Sequence, residues 1–163
     1  MNKERIAIVP GSFDPMTNGH ISIVKRAIED YDRVYVAVMI NNEKQYMFSL
    51  EEREEIAKAC LKDLPKAEVI SSRDWLWRLC IELDACAIVK GYRNENDLEY
   101  ERKMAEFNKE HCPTAETVLI KSDALLSDLS STVVRKLIFT GKDLHGVMPD
   151  EAIEVIKKIK PMG

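Results

Sequence analysis

Along the chain, short apolar and β-branched runs alternate with longer stretches whose apolar positions recur every three or four residues. "RIAIV" (5–9) reads as a strand ending at Pro10. From Gly19 the apolar positions Ile21, Val24 and Ile28 fall at helical spacing, with Asn18 available as N-cap. "RVYVAVMI" (33–40) is apolar at nearly every position, which predicts a strand buried on both faces. After a polar loop, "NNEKQYMF", Ser49 and Glu52 form a capping box ahead of a helix to about Leu64. Further strands are predicted over 67–71, 86–91 and 117–121. Between and after them lie helices over Asp74–Leu83, Asn96 to about His111, and Ser130–Phe139. Pro149, at a first helical position, opens a last helix through Ile159.

Strand and helix alternate throughout, and the helical crossovers are long enough to join parallel strands. The pattern predicts an α/β fold: a Rossmann-like, doubly wound, parallel five-stranded sheet with helices on both faces. In such sheets ligands bind at the carboxyl ends of the strands, where strand order reverses, so the strand-to-helix junctions are the places to search. The 163 residues suffice for one domain over 1–163, ending in helices, and are too few to argue for two.

Composition changes this picture little. With 45% hydrophobic and 32% charged residues the chain has the profile of a soluble globular protein, and a net charge of −4 gives no global case for nucleic acid or an anionic membrane. No apolar stretch approaches the roughly 20 residues of a bilayer span, and "MNKERIAIV" is too short in its apolar part for a signal peptide. Cytoplasmic residence is therefore expected. Cys60, Cys80, Cys86 and Cys112 form no CxxC pair and read as buried free thiols.

Four junctions carry the chemistry. In "PGSFDPMTNGH" (10–20), Gly11 permits a tight turn and close ligand approach, Ser12 offers a hydroxyl, and Gly19 and His20 lie in the first turn of a helix. A helix N-terminus favours anions and disfavours imidazolium, so His20 is expected to be a neutral hydrogen-bond donor suited to a phosphoryl oxygen. A plainer reading makes His20 a cap of the turn. In the second junction, "NNEKQYMF", Lys44 is a cation at a strand's carboxyl end. The third, "VKGYRNENDLEYERKMAEFN" (89–108), sets Lys90, Arg93 and the acidic pair Glu99 and Glu101 around Gly91, and Arg93 presents a fork that matches phosphate oxygens. In the fourth, "LSDLSSTVVRK" (126–136), Ser130, Ser131 and Thr132 stand at a helix start, where N-capping alone would need one hydroxyl of the three. Trp75 and Trp77 read as core or subunit-contact residues. No Walker A string and no nucleophile with an activating partner are present, so the residues suit direct in-line transfer by positioning and charge stabilisation.

These stretches carry a resemblance. Thr17-Asn18-Gly19-His20 is the T/SxGH form of the signature of the nucleotidylyltransferase superfamily, and the longer string is most similar to the bacterial phosphopantetheine adenylyltransferases. That family's pattern near "RGxRxxxDFEYExxMAxxN" is matched at Gly91, Arg93, Asp97, Glu99, Tyr100, Glu101, Met104, Ala105 and Asn108, and its "ISSSxVR" by the hydroxyls and Arg135. Departures are Lys90 for the usual arginine, Leu98 for phenylalanine, and Leu126 for an aromatic residue. The resemblance implies transfer of the adenylyl group of ATP to 4′-phosphopantetheine, giving dephospho-coenzyme A and pyrophosphate, with Mg²⁺ accompanying ATP and no protein metal site. It implies catalytic roles for Ser12, His20, Lys44 and Arg93. ATP contacts would fall on Ser12, Phe13, His20, Gly91, Tyr92, Arg93, Glu101, Leu126, Ser127, Asp128, Leu129, Ser130, Ser131 and Thr132. Acceptor contacts would fall on Ser12, Lys44, Leu76 and Lys90. It also implies a homohexamer. Two other readings stand beside it: transfer to a different phosphate acceptor such as nicotinamide mononucleotide, and a catalytically idle nucleotide-binding module.

Overall fold

In a computed structural model, which describes residues 3–41, 44–122 and 130–159, the alternation resolves into five strands and six helices. The strands are β1 (Ile6–Gly11), β2 (Arg33–Met39), β3 (Ala67–Ser72), β4 (Ala87–Tyr92) and β5 (Glu116–Lys121). The helices are α1 (Asn18–Asp30), α2 (Leu50–Cys60), α3 (Leu76–Leu83), α4 (Glu95–His111), α5 (Ser131–Phe139) and α6 (Asp150–Ile159). The strands form one parallel sheet in the order β3-β2-β1-β4-β5, with the order reversing between β1 and β4.

Side-chain alternation along the strands builds two cores. Ala7, Val9, Val34, Val36, Val38, Ala87 and Val89 pack on one face with Val24 and Ala27 of α1, Ile56 of α2, Val134 of α5 and Ile156 of α6. Ile8, Ala37 and Ile88 face the other way, onto Leu79 and Cys80 of α3 together with Cys112 and Ala115. The sheet is thus covered on both faces, as its apolar central strands require. Among the described residues, no helix is long and apolar enough to cross a membrane. Cys60, Cys80 and Cys112 are buried and Cys86 is half-buried, all as free thiols, and burial pushes the Cys60 and Cys80 thiols up to about 12. Trp75 departs from a core role: it is 59% exposed, against Phe107 at a ring distance of 6.0 Å.

Several boundaries differ from the sequence reading for local reasons. Pro10 does not end β1, whose register with β2 continues through Pro10↔Ala37 to Gly11↔Val38; proline removes a donor but tolerates extended backbone. α2 stops at Cys60, and residues 61–64 form a turn closed by Leu64 N–H on the Leu61 carbonyl, since Pro65 disfavours helix in the residue before it. α4 starts one residue early because Asn94, not a later residue, caps it by accepting from Asp97 N.

The register also explains the cleft. β1 pairs with β4 at Ala7↔Ala87 and Ile8↔Ile88, whereas β1–β2 pairing runs on to Gly11↔Val38 and β4–β5 pairing to Tyr92↔Lys121. Beyond Ile8 and Ile88 the two central strands part, and their carboxyl ends bound an open space.

Candidate active site

That space is a cleft of about 660 Å³, lined by the ends of β1 and β4, the start of α1, the loop after β2, the inner side of α4 and the start of α5. Ser12, Phe13, His20, Lys44, Lys90, Gly91, Arg93, Glu101, Ser130, Ser131 and Thr132 all line it. Tyr92 and Leu76 do not: Leu76 packs against the core beneath α3, and Tyr92 ends β4 with its carbonyl accepting from Ser122 N. Leu126, Ser127, Asp128 and Leu129 lie outside the described residues.

His20 is held by its own helix. Thr17, not Asn18, is the N-cap of α1: its hydroxyl accepts from Gly19 N at 3.2 Å, and its own N–H donates to His20 Nδ1 at 3.0 Å. The imidazole occupies the capping-box position usually taken by glutamate. Because Nδ1 is an acceptor, the ring proton resides on Nε2, leaving one donor for a ligand. Burial, and secondarily the Arg93 guanidinium, pull the His20 pKa down to about 4. His20 is therefore neutral near pH 7, as the sequence implied, but burial rather than the helix N-terminus is the main cause. The capping role and the donor role are compatible, one on each ring nitrogen. A histidine this acidic is a weak general base at neutral pH, which disfavours deprotonation of Ser12 as a route.

The glycines answer to packing more than to a ligand. A Cβ on Gly11 would lie 2.8 Å from Phe13 Cζ, and one on Gly91 would lie 3.0 Å from Ile23 Cδ1 of α1. Phe13 itself adopts φ of 48°, a left-handed conformation that costs a bulky residue energy. Its ring lies 5.1 Å from that of His20, edge to face at 89°. The turn from β1 into α1 is thus shaped around Phe13 and His20.

Three residues that the sequence reading assigned no site role fasten this turn to its surroundings. Arg53 of α2 is completely buried, donates from Nη1 to the carbonyls of Ser12 (2.8 Å) and Met39 (2.9 Å), and stacks 3.9 Å over the Tyr46 ring. Asp14, 3% exposed, accepts from Met47 N at 2.9 Å and Phe48 N at 3.0 Å. Arg135 of α5 donates to the Asp14 carbonyl at 2.9 Å. Together these bonds join the β1 turn, which carries Ser12, to the β2 loop, which carries Lys44. Lys44 is exposed at the cleft, with its N–H on the Asn41 carbonyl.

On the β4 side, both cations are matched by acids of α4. Lys90 Nζ lies 2.6 Å from Glu101, and Arg93 Nε lies 3.1 Å from Asp97. Glu101 enters the cleft, but its sequence partner Glu99 is exposed and does not line it. At the fourth junction each hydroxyl has a structural bond. Ser130 caps α5 by accepting from Val133 N, Ser131 donates to the Pro15 carbonyl at 2.9 Å, and Thr132 accepts from Arg135 Nη2 at 3.1 Å. What α5 offers a phosphate is its first-turn N–H groups other than that of Val133, together with the O–H donors of Ser130 and Thr132, whose oxygens only accept in these bonds.

The arrangement suits phosphate chemically: a neutral imidazole donor, three exchangeable cations and two helix N-termini around one cleft. Residues 8–137 match the cytidylyltransferase-like family. The chain is 42% identical over 153 residues to the phosphopantetheine adenylyltransferase of Clostridium tetani, covering 94% of this chain and 96% of that one. It is also 42% identical over 151 residues to that of Flavobacterium psychrophilum, covering 93% and 99%, and 39% identical over 154 residues to that of Moorella thermoacetica, covering 94% and 96%. On this family match and this near-full-length identity, the chain belongs to the cytidylyltransferase-like family and, with these relatives, to the phosphopantetheine adenylyltransferases.

Proposed function

We propose that the chain is a nucleotidyltransferase acting by direct in-line displacement: a phosphate oxygen of 4′-phosphopantetheine attacks the α-phosphorus of ATP. The bond from that phosphorus to the bridging oxygen breaks, pyrophosphate departs with the electron pair, and dephospho-coenzyme A remains. His20 supports this reading most. Its Nδ1 is taken by Thr17, its charge is removed by burial, and its Nε2–H is a fixed donor in the cleft. Such a donor stabilises charge growing on an α-phosphate oxygen without binding the ground-state phosphate as tightly as a cation would.

Ser12 and Lys44, on the two loops joined through Asp14 and Arg53, orient the reacting phosphates. Arg93 and the α5 N-terminus hold the β- and γ-phosphates, Arg93 exchanging or sharing its Asp97 partner. Lys90, poised on Glu101, serves the acceptor. Mg²⁺ fits as part of the nucleotide. Among the described residues no group of three or more His, Cys, Asp and Glu could hold a metal ion, so phosphate oxygens and water would supply most of its ligands. When bound, it would offset charge on the triphosphate. We further propose a homohexamer resident in the cytoplasm, in keeping with the resemblance described above.

The test is pyrophosphate release from ATP and Mg²⁺, with 4′-phosphopantetheine and nicotinamide mononucleotide as separate acceptors. Release with the pantetheine alone is expected and makes Lys90 a tolerated replacement. Release with the nucleotide alone would overturn the acceptor but retain the chemistry, and none with either would favour an idle nucleotide-binding module.

A further inference from the structure

Thr17 supplies the cap of α1, so the neighbouring Asn18 is released from that task, and the structure gives it another. Its backbone N–H donates to the Val147 carbonyl at 2.8 Å, and its side-chain Nδ2 donates to the Gly146 carbonyl at 3.0 Å. Residues 128 and 129 positions away in sequence thus meet both donors of the first residue of α1. The loop that provides them lies beyond residues 8–137, the stretch matching the family.

This loop is a built element. Leu144 and Met148 are 2% and 3% exposed and anchor it in the main core. Val147 N–H closes a turn on the Leu144 carbonyl, His145 is bound through its N–H and Nδ1 to Asp143, and a bridge joins His145 to Met148. Gly146 has φ of 88°, a conformation rarely open to other residues, although no atom within 4 Å would obstruct a Cβ there. Gly146 is therefore required for backbone direction rather than for space. Its left-handed turn helps set two successive carbonyls toward one helix end.

We propose that Asn18, seated on the Gly146 and Val147 carbonyls, is a positioning residue for His20. The start of α1 is fixed from both sides: the capping box ties Thr17 to His20 within the helix, and Asn18 ties the same turn to the C-terminal loop. His20 follows Asn18 by two residues, so a shift of this turn moves the Thr17 N–H that holds Nδ1. Loss of the external brace would let the ring sample its other tautomer, and Nε2 would cease to be a constant donor. The inference rests on the catalytic reading of His20 given above.

The test uses the full chain with Asn18→Ala and, from the opposite side of the same contact, Gly146→Ala. In each, turnover in pyrophosphate release should fall about tenfold or more, with KM for ATP within about threefold, because geometry at the reacting phosphate is lost while phosphate binding is kept. The ¹⁵N shifts of the His20 ring, read without substrate, should move from a single Nε2–H tautomer toward the average of two. The double variant should be little worse than Gly146→Ala alone, since the carbonyl that this substitution displaces is the one Asn18 Nδ2 meets. Turnover within twofold of the parent in both variants, or a loss with the His20 tautomer unchanged, would overturn the proposal. Should Asn18→Ala fail to fold, Gly146→Ala decides by the same readouts. A tautomer change in these variants, beside near-parental turnover in His20→Ala, would sink the catalytic reading and leave the positioning role intact.

Discussion

On the β1 side of the cleft, His20, Asp14 and Arg53 are bound to backbone groups: Thr17 N–H, the N–H groups of Met47 and Phe48, and the carbonyls of Ser12 and Met39. On the β4 side, among the described residues, the Lys90 and Arg93 side chains pair with side chains of α4, and the Arg93 side chain is 48% exposed while that of Lys90 is 25% exposed. Backbone partners in the interior cannot be exchanged without moving a loop. An ion pair as open to water as Arg93–Asp97 contributes little to stability and reforms readily with a competing phosphate, whereas the better-buried Lys90–Glu101 pair exchanges less easily. The contrast separates two requirements of phosphoryl transfer: a donor to the transition state must already be in place, whereas groups that admit a triphosphate and release pyrophosphate must change partners.

The sharpest way to break this contrast is His20→Ala. Removing a preorganised donor typically lowers turnover by ~10²–10³, so a fall of this size with the fold retained is expected in the pyrophosphate assay. The same variant has a second readout. His20 has a folded pKa of about 4, below its ordinary 6.5, so the unfolded chain takes up the proton first as pH falls. Stability is thus full above about 6.5 and declines as pH drops from there toward 4, by an amount on the order of 3 kcal/mol. Denaturant titrations across that range should show the slope in the parent and lose it in His20→Ala. His145 acts in the opposite sense. Asp143 raises it, so its contribution is full below the ordinary 6.5 and is lost as pH rises through the raised value.

Next in size is Arg53→Met, which keeps much of the apolar volume but leaves the Ser12 and Met39 carbonyls without their donor. A loss of roughly 2–4 kcal/mol in unfolding free energy is expected, with turnover falling because Ser12 and Lys44 are no longer held together. Chemical denaturation and the pyrophosphate assay check the two parts. An unfolding free energy within 0.5 kcal/mol of the parent, taken as roughly the spread of neutral surface substitutions, would remove Arg53 from its role as the strut of this side.

The smallest effect should come from Asp97→Asn. An exposed ion pair is worth about 0–1 kcal/mol, so stability should scarcely change, and KM for ATP should move by no more than about threefold. Stopped turnover in this variant, on the scale of His20→Ala, would show that the β4 side is as fixed as the β1 side.

How far the sequence reached depended on the range of the interactions involved. The alternation of apolar runs with helical spacing was enough for the parallel sheet, because burial of a strand or helix face leaves a local period. Eleven of the expected site residues were brought to one cleft because the junction motifs are contiguous strings at strand ends. Leu76 was not, since its apolar character suits a core beneath α3 as well as a binding surface. The hydroxyl cluster 130–132 was visible, but not that Ser131 would spend its proton on the Pro15 carbonyl while Ser130 and Thr132 accept from Val133 N–H and Arg135.

By itself, then, the sequence determined the order of elements and the junctions that hold the chemistry, whereas the neutral character of His20, expected from the helix N-terminus, came mainly from burial in the folded chain. Tertiary structure decided which nitrogen of His20 is free, why Gly11 and Gly91 lack side chains, and how the cleft is braced. Arg53 reaches Ser12 across 41 positions, Arg135 reaches Asp14 across 121, and Asn18 reaches Gly146 across 128. Such contacts leave no period in the chain. A buried arginine or a braced asparagine looks, in sequence, like any polar residue on a helix, and only the folded backbone brings its partner within hydrogen-bonding distance.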